Sequence, residues 1–427
     1  MNRYLTYLLS SLLLAFYTCS TPESQESASD VQESFIVDEV AKARIDSTLQ
    51  SFIDTGNIAG VSALIYEKGE EVYFNAIGMS DREAGTPMTR NTIVQIFSMT
   101  KPITGVALMT LYDEGAFQLD DPVSKYATEF ANLQVYAGED ASGEMMLEPL
   151  DRELTIRDLT RHTSGLATSP DNPGVGPLLA EAEPMKRENT LSQMAEKFGS
   201  IPLWFQPGTR WAYGPSVDVQ AFLVERISGQ PFDEYIEEHI FNPLDMAETR
   251  YVVPENDLER FAALYQHAED GTVNRVPDER ARAFNTQAWP LTPGGYGLTS
   301  TLDDYMRFAR MLVNEGELNG NRVLKAETVQ LMATNYLADS VTDRSWLPSK
   351  GSVGFGIDFA VRHSPPQSAE ENHGKVGEFF WDGAASTLFW VDPENELTAV
   401  FFVQIVPFQG SLHKKFRDAV YGKAQIK

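Results

Sequence analysis

The chain reads Ser98-Met99-Thr100-Lys101 immediately before an apolar run, Pro102-Ile103-Thr104-Gly105-Val106-Ala107-Leu108-Met109-Thr110-Leu111-Tyr112. The run predicts a helix with apolar residues on nearly every side, so we expect it to be buried at the centre of the fold. Pro102 suits the first helical turn, where its missing N–H does little harm. It also biases Lys101 away from helical backbone angles.

A serine and a lysine three residues apart lie on one face of a helix, near enough to share a proton. The positive end of the helix dipole favours an alkoxide and an unprotonated amine, which makes Ser98 a candidate nucleophile beside the Lys101 amine. The spacing alone does not decide this, because Ser411-Leu412-His413-Lys414 repeats it. The segment after the second copy predicts an ordinary amphipathic surface helix.

The amino-acid composition limits the classes of protein to which this chain can belong. The chain has 427 residues, of which 42% are hydrophobic, enough for a large folded core. Its net charge of −27, from 34 basic and 61 acidic residues, argues against nucleic acid as a partner and against charge-driven binding to anionic lipid. The sequence has no metalloprotease, phosphate-loop, dinucleotide or Gly-x-Ser-x-Gly motif. We therefore expect no metal and no cofactor.

The N-terminal segment predicts export. Arg3 precedes apolar residues 4–17, a pattern typical of a signal peptide over residues 1–18. Cys19, the only cysteine, follows directly and predicts a lipid anchor; an incidental cysteine in a secreted protein is the alternative. Residues 19–35 are rich in Ser, Glu and Gln and predict a flexible tether. We expect the bacterial periplasm or cell envelope, with membrane contact only through a lipid on Cys19.

Hydrophobic spacing along the rest of the chain predicts an α+β fold. The predicted elements are a helix over 36–52, hairpins of 61–66 with 72–77 and of 386–391 with 397–406, and a last helix over Gly410–Tyr421. Between about 126 and 290 the pattern favours short helices and loops without a clear strand. We expect one antiparallel sheet made from N- and C-terminal segments, flanked by helices, with a mainly helical lobe inserted.

A further candidate for the chemistry is a tyrosine in the loop Gln206-Pro207-Gly208-Thr209-Arg210-Trp211-Ala212-Tyr213. A phenol near an ammonium can act as a general base, although a half-buried aromatic is the commoner role for tyrosine. From the residues alone, both readings of Tyr213 stay open.

Several motifs accompany these residues in a fixed order. They are Phe97-Ser98-Met99-Thr100-Lys101, Leu154-Thr155-Ile156-Arg157-Asp158-Leu159-Thr160-Arg161-His162-Thr163-Ser164-Gly165-Leu166, the Tyr213 loop, Phe241-Asn242-Pro243-Leu244-Asp245-Met246, Gly295-Tyr296-Gly297-Leu298-Thr299-Ser300-Thr301-Leu302-Asp303-Asp304 and Trp381-Asp382-Gly383-Ala384-Ala385. Over residues 53–408 the chain thereby resembles the serine β-lactamase and D-Ala-D-Ala peptidase superfamily, on the class C side that includes family VIII esterases. The resemblance implies a β-lactamase/transpeptidase-like domain, which we place at residues 36–425.

The resemblance also implies roles for site residues. Ser98 would be the acylated nucleophile, Lys101 would help to deprotonate it, and Tyr213 would pass the proton to the leaving group. The segment Trp381-Asp382-Gly383 stands where relatives carry Lys-Thr-Gly and would bind substrate. The backbone N–H groups of Ser98 and Ala384 would form the oxyanion hole.

Two departures from the family pattern bear on the substrate. Pro215 stands where β-lactamases of this side usually carry Asn, which removes an amide donor. Trp381 replaces the lysine of the third motif, and the acidic Asp382 follows, so recognition of a substrate carboxylate should weaken. Three basic residues near Trp381 in the sequence could supply a charge instead, namely Lys350, Arg362 and Lys375.

The combined reading is an exported serine hydrolase that acts through an acyl-enzyme on a small-molecule ester, in preference to a lactam or a peptide. One alternative is D-Ala-D-Ala carboxypeptidase or β-lactamase activity. The other is a non-catalytic lipoprotein that binds cell-wall fragments. His162 is expected to be structural, holding a turn beside Thr163 and Ser164.

Overall fold

A computed structural model describes residues 35–423 of the chain. The predicted signal peptide, Cys19 and nearly all of the predicted tether lie outside the described residues. No helix within 35–423 is both long and apolar enough to cross a membrane.

The helices, in chain order, are α1 (Glu39–Asp54), α2 (Thr100–Asp113), α3 (Ile156–Thr160), α4 (Gly176–Ala182), α5 (Leu191–Gly199), α6 (Ser216–Ser228), α7 (Phe232–Ile236), α8 (Asn242–Leu244), α9 (Asp278–Ala281), α10 (Leu302–Val313), α11 (Ala326–Met332) and α12 (Gly410–Tyr421). The strands are β1 (Gly60–Glu67), β2 (Glu70–Asp81), β3 (Thr86–Pro87), β4 (Val94–Gln95), β5 (Gln134–Glu139), β6 (Met145–Pro149), β7 (Tyr265–His267), β8 (Val273–Arg275), β9 (Thr299–Ser300), β10 (Glu317–Leu318), β11 (Asn321–Arg322), β12 (Val353–Phe355), β13 (Ala360–Arg362), β14 (Phe379–Asp382), β15 (Leu388–Asp392), β16 (Leu397–Phe402) and β17 (Ile405–Val406).

One antiparallel sheet joins the two ends of the described chain. Its strand order is β12-β13-β14-β15-β16-β1-β2-β3, so the N-terminal hairpin pairs with the C-terminal strands through β1 and β16. The hairpin turn contains Lys68 and Gly69, both with positive φ, as a tight two-residue turn requires. The predicted α+β fold, with a sheet built from both ends of the sequence, is confirmed.

Helices cover both faces of this sheet. Phe401 and Phe402 are neighbours on β16, so their side chains point to opposite faces. Phe401 stacks on Phe416 of α12 and meets Phe52 of α1, whereas Phe402 meets Tyr305 of α10. Every residue of β15 and β16 is therefore buried, although antiparallel sheets often leave one face wet.

Helix α2 lies at the centre of the molecule, as its apolar composition predicts. Its residues from Thr100 to Leu111 are all buried, and it packs against α6. Lys101 has helical geometry despite the following proline, because Pro102 falls in the first turn, where no N–H is needed. A short 3₁₀ turn, Phe97–Met99, carries Ser98 and leads directly into α2.

The first helix and the second hairpin differ from their predicted bounds. Helix α1 begins at Glu39 because Asp38 caps it, accepting the N–H of Ala41 at 2.8 Å. Strand β15 begins at Leu388 rather than 386, because Ser386 has a φ of 68° and lies in a turn.

The predicted strand over 397–406 ends early, at Phe402. Gln404 turns out of the sheet, and its side-chain amide donates to the carbonyl of Gln95 at 3.0 Å. Residues Ile405–Val406 then pair with β7 in a separate small sheet.

The region between residues 126 and 290 contains helices α3–α9, but it is not free of strands. It also holds the hairpin β5–β6 and the pair β7–β8. The expectation of no clear strand there was wrong, because these strands are short and do not join the main sheet. Several of their positions are exposed, so hydrophobic alternation is weak.

Candidate active site

The turn that carries Ser98 is fixed from both sides. The N–H of Ile96 donates to the carbonyl of Leu298 at 3.1 Å, which continues the β4–β9 pairing. The Tyr305 hydroxyl donates to the carbonyl of Met99 at 2.8 Å. Phe97 has a φ of 45°, a left-handed conformation that a non-glycine residue adopts at a cost. Ser98 itself is half-buried at the surface of a cavity.

The Lys101 amine lies beside this serine. Its Nζ is 3.4 Å from Ser98 Oγ and donates to the carbonyl of Gly295 at 2.7 Å. The residue is only 5% exposed, and it forms no ion pair within the described part of the chain. The amine is therefore placed to exchange a proton with the Ser98 hydroxyl.

Gly295 connects Lys101 to a buried carboxylate. Its N–H donates to Asp218 Oδ1 at 2.9 Å, while its carbonyl accepts from Lys101. A Cβ at this position would lie 2.9 Å from Asp218 Oδ2 and 3.2 Å from Lys101 Nζ. The glycine is therefore needed to bring the backbone between the two side chains, and Asp218 on α6 orients the carbonyl that holds Lys101.

Three buried titratable groups surround Lys101, and burial favours the neutral form of each. Burial raises the pKa of Asp218 to about 6, opposed by the Lys101 charge and by the Gly295 N–H. Burial also raises the pKa of Asp358 well above its usual range, opposed by the hydrogen bond from Gln220 and by Lys101. For His162, burial and the Lys101 charge both lower the pKa well below its ordinary value.

Tyr213 completes this side of the site. Lys101 Nζ lies 4.5 Å from the centroid of its ring, and the indole N–H of Trp381 donates to its hydroxyl at 3.3 Å. His162 packs on the same ring at 4.8 Å between centroids, and its carbonyl accepts the N–H of Ala212 at 2.9 Å. His162 thus supports the tyrosine loop, as its predicted structural role requires.

The segment after β14 approaches the serine turn closely. A Cβ on Gly383 would lie 2.5 Å from the carbonyl oxygen of Ile96, so glycine is required by the neighbouring chain. The N–H of Gly383 donates to the carbonyl of Thr387, whereas within residues 35–423 the N–H of Ala384 donates to no backbone carbonyl. Ala384 is exposed at the cavity, where its N–H could meet a substrate oxygen.

Two cavities open at the site, and Tyr213 lines both. The serine cavity, of about 330 Å³, is lined by Ser98, Tyr213, Trp346, Ser349, Lys350, Asp382, Gly383, Ala384 and Phe408. The lobe cavity, of about 600 Å³, lies toward the helical lobe and includes Lys101, Asp218 and Pro215. The structure therefore brings together Ser98, Lys101, Tyr213 and the segment from Trp381 to Ala384.

Sequence reasoning missed part of the serine cavity. Trp346 and Phe408 form its aromatic wall, yet both are distant in sequence from the motifs and lie in irregular segments. Lys350, one of three suggested basic residues, forms a direct ion pair with Asp382. Arg362 is instead buried beside Glu378, and neither Arg362 nor Lys375 lines either cavity.

Residues 35–423 hold no cluster of three His, Cys, Asp or Glu side chains that could bind a metal ion. The second Ser-x-x-Lys copy lies on the surface. Ser411 is exposed, and Lys414 pairs with Asp418 at 2.8 Å along α12.

The raised pKa of Asp218 predicts a pH-dependent stability. Asp218 binds its proton more tightly when folded (pKa about 6) than when unfolded (about 4), so its contribution is present below about pH 4 and lost as pH rises through about 6. Between pH 4 and 7, the free energy of unfolding of the wild type should therefore fall relative to Asp218→Asn by about 2 kcal/mol. Urea unfolding at several pH values measures this change in the free energy of unfolding.

The control is Asp339→Asn, at an exposed position, which should follow the wild-type curve of stability against pH. Parallel curves for the wild type and Asp218→Asn would contradict the assignment.

Comparison with known proteins agrees with the fold. The chain is 33% identical over 365 residues to protein Rv1367c of Mycobacterium tuberculosis, covering 84% of this chain and 89% of that protein. It is 28% identical over 407 residues to the esterase EstB of Burkholderia gladioli, covering 89% and 95% of the two chains. Among solved structures, EstCE1, described as a hydrolase with promiscuous acyltransferase activity, aligns with a TM-score of 0.73 at 25% identity, over 91% of this chain and all of that one.

The Beta-lactamase family profile matches residues 45–421, which include every site residue described above. A match of this length, with the sheet and the serine turn in place, leaves one conclusion. The chain belongs to the Beta-lactamase family.

Proposed function

We propose that this protein is a serine hydrolase of the esterase-like part of the family, working through an acyl-enzyme on Ser98. The observation that carries the proposal is the position of the Lys101 amine, 3.4 Å from Ser98 Oγ and without an ion pair among the described residues. The esterase relatives support the reaction class.

Acylation follows from this arrangement. Ser98 Oγ attacks the ester carbonyl carbon, and its proton moves to the Lys101 amine, either directly or by way of the Tyr213 hydroxyl. The carbonyl oxygen becomes an oxyanion, which the N–H groups of Ser98 and Ala384 stabilise. The carbon–oxygen bond to the alcohol then breaks, the alcohol oxygen takes the proton, and the acyl group stays on Ser98.

In this scheme, the acyl part and the alcohol part of the ester occupy different cavities. The acyl group occupies the serine cavity, because Ser98 and Ala384, the two residues of the proposed oxyanion hole, both line it. The alcohol leaves on the side of Tyr213 and Lys101, toward the lobe cavity, where the proton is held. Hydrolysis repeats the steps with water in the place of the alcohol, and Tyr213 again relays the proton in this scheme.

An ester is preferred over a β-lactam because the site lacks two groups that such a substrate needs. Pro215 provides no amide donor, and the third motif carries Trp381 in the place of a lysine. Of the charged side chains in the serine cavity, the cation Lys350 is already engaged by Asp382. A lactam or D-Ala carboxylate would therefore find no unengaged cation there.

Replacement of Ser98 tests the proposal with a control that the chain itself provides. Ser98→Ala should abolish labelling by a fluorophosphonate probe and lower ester hydrolysis by at least about 10³-fold, since the nucleophile is lost. Ser411→Ala removes the serine of the other Ser-x-x-Lys copy and should leave both measurements at the wild-type level. Absence of labelling in the wild type would favour the non-catalytic binding protein.

The substrate preference has its own measurement. We expect kcat/KM for p-nitrophenyl butyrate to exceed that for nitrocefin by about 10- to 100-fold. This range corresponds to the free energy of one missing hydrogen bond to a charged group. Both rates are read spectrophotometrically on one preparation. Faster turnover of nitrocefin would restore the β-lactamase alternative, and release of D-Ala from a D-Ala-D-Ala peptide would restore the peptidase.

Export and a lipid anchor on Cys19 rest on the sequence of residues 1–19 alone and stay predictions. The mass of the mature N-terminal peptide decides between an acylated Cys19 and an unmodified one.

A further inference from the structure

The serine cavity contains two charged side chains, and they face each other. Asp382 is the last residue of β14, and Lys350 ends the 3₁₀ helix Leu347–Lys350. Both line the cavity that also holds Ser98, and Lys350 Nζ contacts Asp382 Oδ2 directly. The pair therefore stands where the acyl part of an ester would lie.

Burial makes this pair interdependent. The side chain of Lys350 is 8% exposed and that of Asp382 is 9% exposed, so water solvates neither charge well. A buried ion pair is tolerable while both partners are present, but either charge alone is strongly unfavourable.

The other neighbour of Asp382 does not replace Lys350. His413 Nδ1 lies 3.9 Å from Asp382 Oδ2, and its Nε2 donates to the carbonyl of Ser386 at 2.8 Å. Burial lowers the pKa of His413 to about 4, with the Asp382 charge opposing this, so the ring is neutral near pH 7. Lys350 is thus the cation that compensates Asp382.

Aromatic faces hold the lysine where it is. Its Nζ lies 4.3 Å from the ring centroid of Phe408, 5.3 Å from that of Trp346 and 5.7 Å from that of Trp381. Such faces attract a cation and exclude water from it. An entering carboxylate would have to share Lys350 with Asp382, which places two like charges side by side. A neutral acyl chain would instead meet Trp346, Phe408 and Ala384 without disturbing the pair.

We propose that the Lys350–Asp382 ion pair is a specificity determinant, which admits neutral acyl groups to the serine cavity and rejects acyl groups that carry a carboxylate. This inference rests on the proposed function, because it needs an acyl group to occupy that cavity. It identifies the substrate class as esters of uncharged carboxylic acids. Asp382 acts by forming the ion pair with Lys350, and it does not contact the reacting atoms.

Two matched esters test it, p-nitrophenyl hexanoate and the half-ester p-nitrophenyl hydrogen adipate, which adds a terminal carboxylate to the same acyl chain length. The readout is the ratio of kcat/KM for the anionic ester to kcat/KM for the neutral one. The wild type should favour the neutral ester by at least about tenfold. Asp382→Asn, which leaves Lys350 unpaired, should raise the ratio by about 10- to 100-fold, mainly through a lower KM for the adipate.

Two further variants separate this effect from a general disturbance of the cavity. The double variant Lys350→Met/Asp382→Asn should lose the gain, because the unpaired cation is gone. Asp418→Asn breaks the Lys414–Asp418 pair on α12, outside both cavities, and should keep the wild-type ratio. An unchanged ratio in Asp382→Asn, or equal hydrolysis of both esters by the wild type, would overturn the inference and leave the proposed function standing.

A measurement on the unaltered protein covers the case in which Asp382→Asn does not fold. Butylboronic acid and 4-boronobutanoic acid differ by one carboxylate, and both can bond to a nucleophilic serine. The wild type should bind the first at least about tenfold more tightly; equal binding would overturn the inference. If fluorophosphonate fails to label Ser98 and neither ester is hydrolysed, the proposed function fails, and the specificity claim fails with it.

Discussion

The Lys101 amine is held by a backbone carbonyl and not by a carboxylate. Gly295 supplies that carbonyl, and its own N–H is bound by Asp218, so α2 and α6 jointly fix the amine beside Ser98. The carbonyl positions the amine without placing a full negative charge in contact with it. The serine turn and the tyrosine loop lie beside this amine, and Trp381, near the end of β14, donates to the Tyr213 hydroxyl.

The two lysines of the site are both buried, but they differ in whether they form an ion pair. Lys101 has no ion-pair partner within residues 35–423, and burial favours the neutral forms of Asp218, Asp358 and His162 around it. Lys350 is similarly buried but is paired with Asp382, so its charge is compensated. Lys101 is therefore placed to exchange a proton with Ser98, whereas the Lys350–Asp382 pair sets the charge balance of the serine cavity.

Local sequence patterns predicted the helices and hairpins that depend on interactions between residues near each other in the sequence. The apolar run after Ser98 predicted a buried α2, and the two hairpins predicted a sheet joining both chain ends. The Gly295 carbonyl and the Lys350–Asp382 pair depend on contacts between segments far apart in sequence, which periodicity does not encode. The space at Gly383 is also limited by a segment distant in sequence, because a Cβ there would lie 2.5 Å from the carbonyl oxygen of Ile96. Strand β16 ended early because Gln404 bonds to Gln95, a long-range contact of the same kind.

Trapping the covalent intermediate tests the central claim most directly. Enzyme mixed with p-nitrophenyl butyrate and quenched in acid should carry one butyryl group on the peptide that contains Ser98. The adduct should form with a burst of about one nitrophenolate per active site, and in Lys101→Met the burst should slow by about 10²–10⁴-fold. A butyryl group on another residue, or steady turnover with no adduct and no effect of Lys101→Met, would contradict the account.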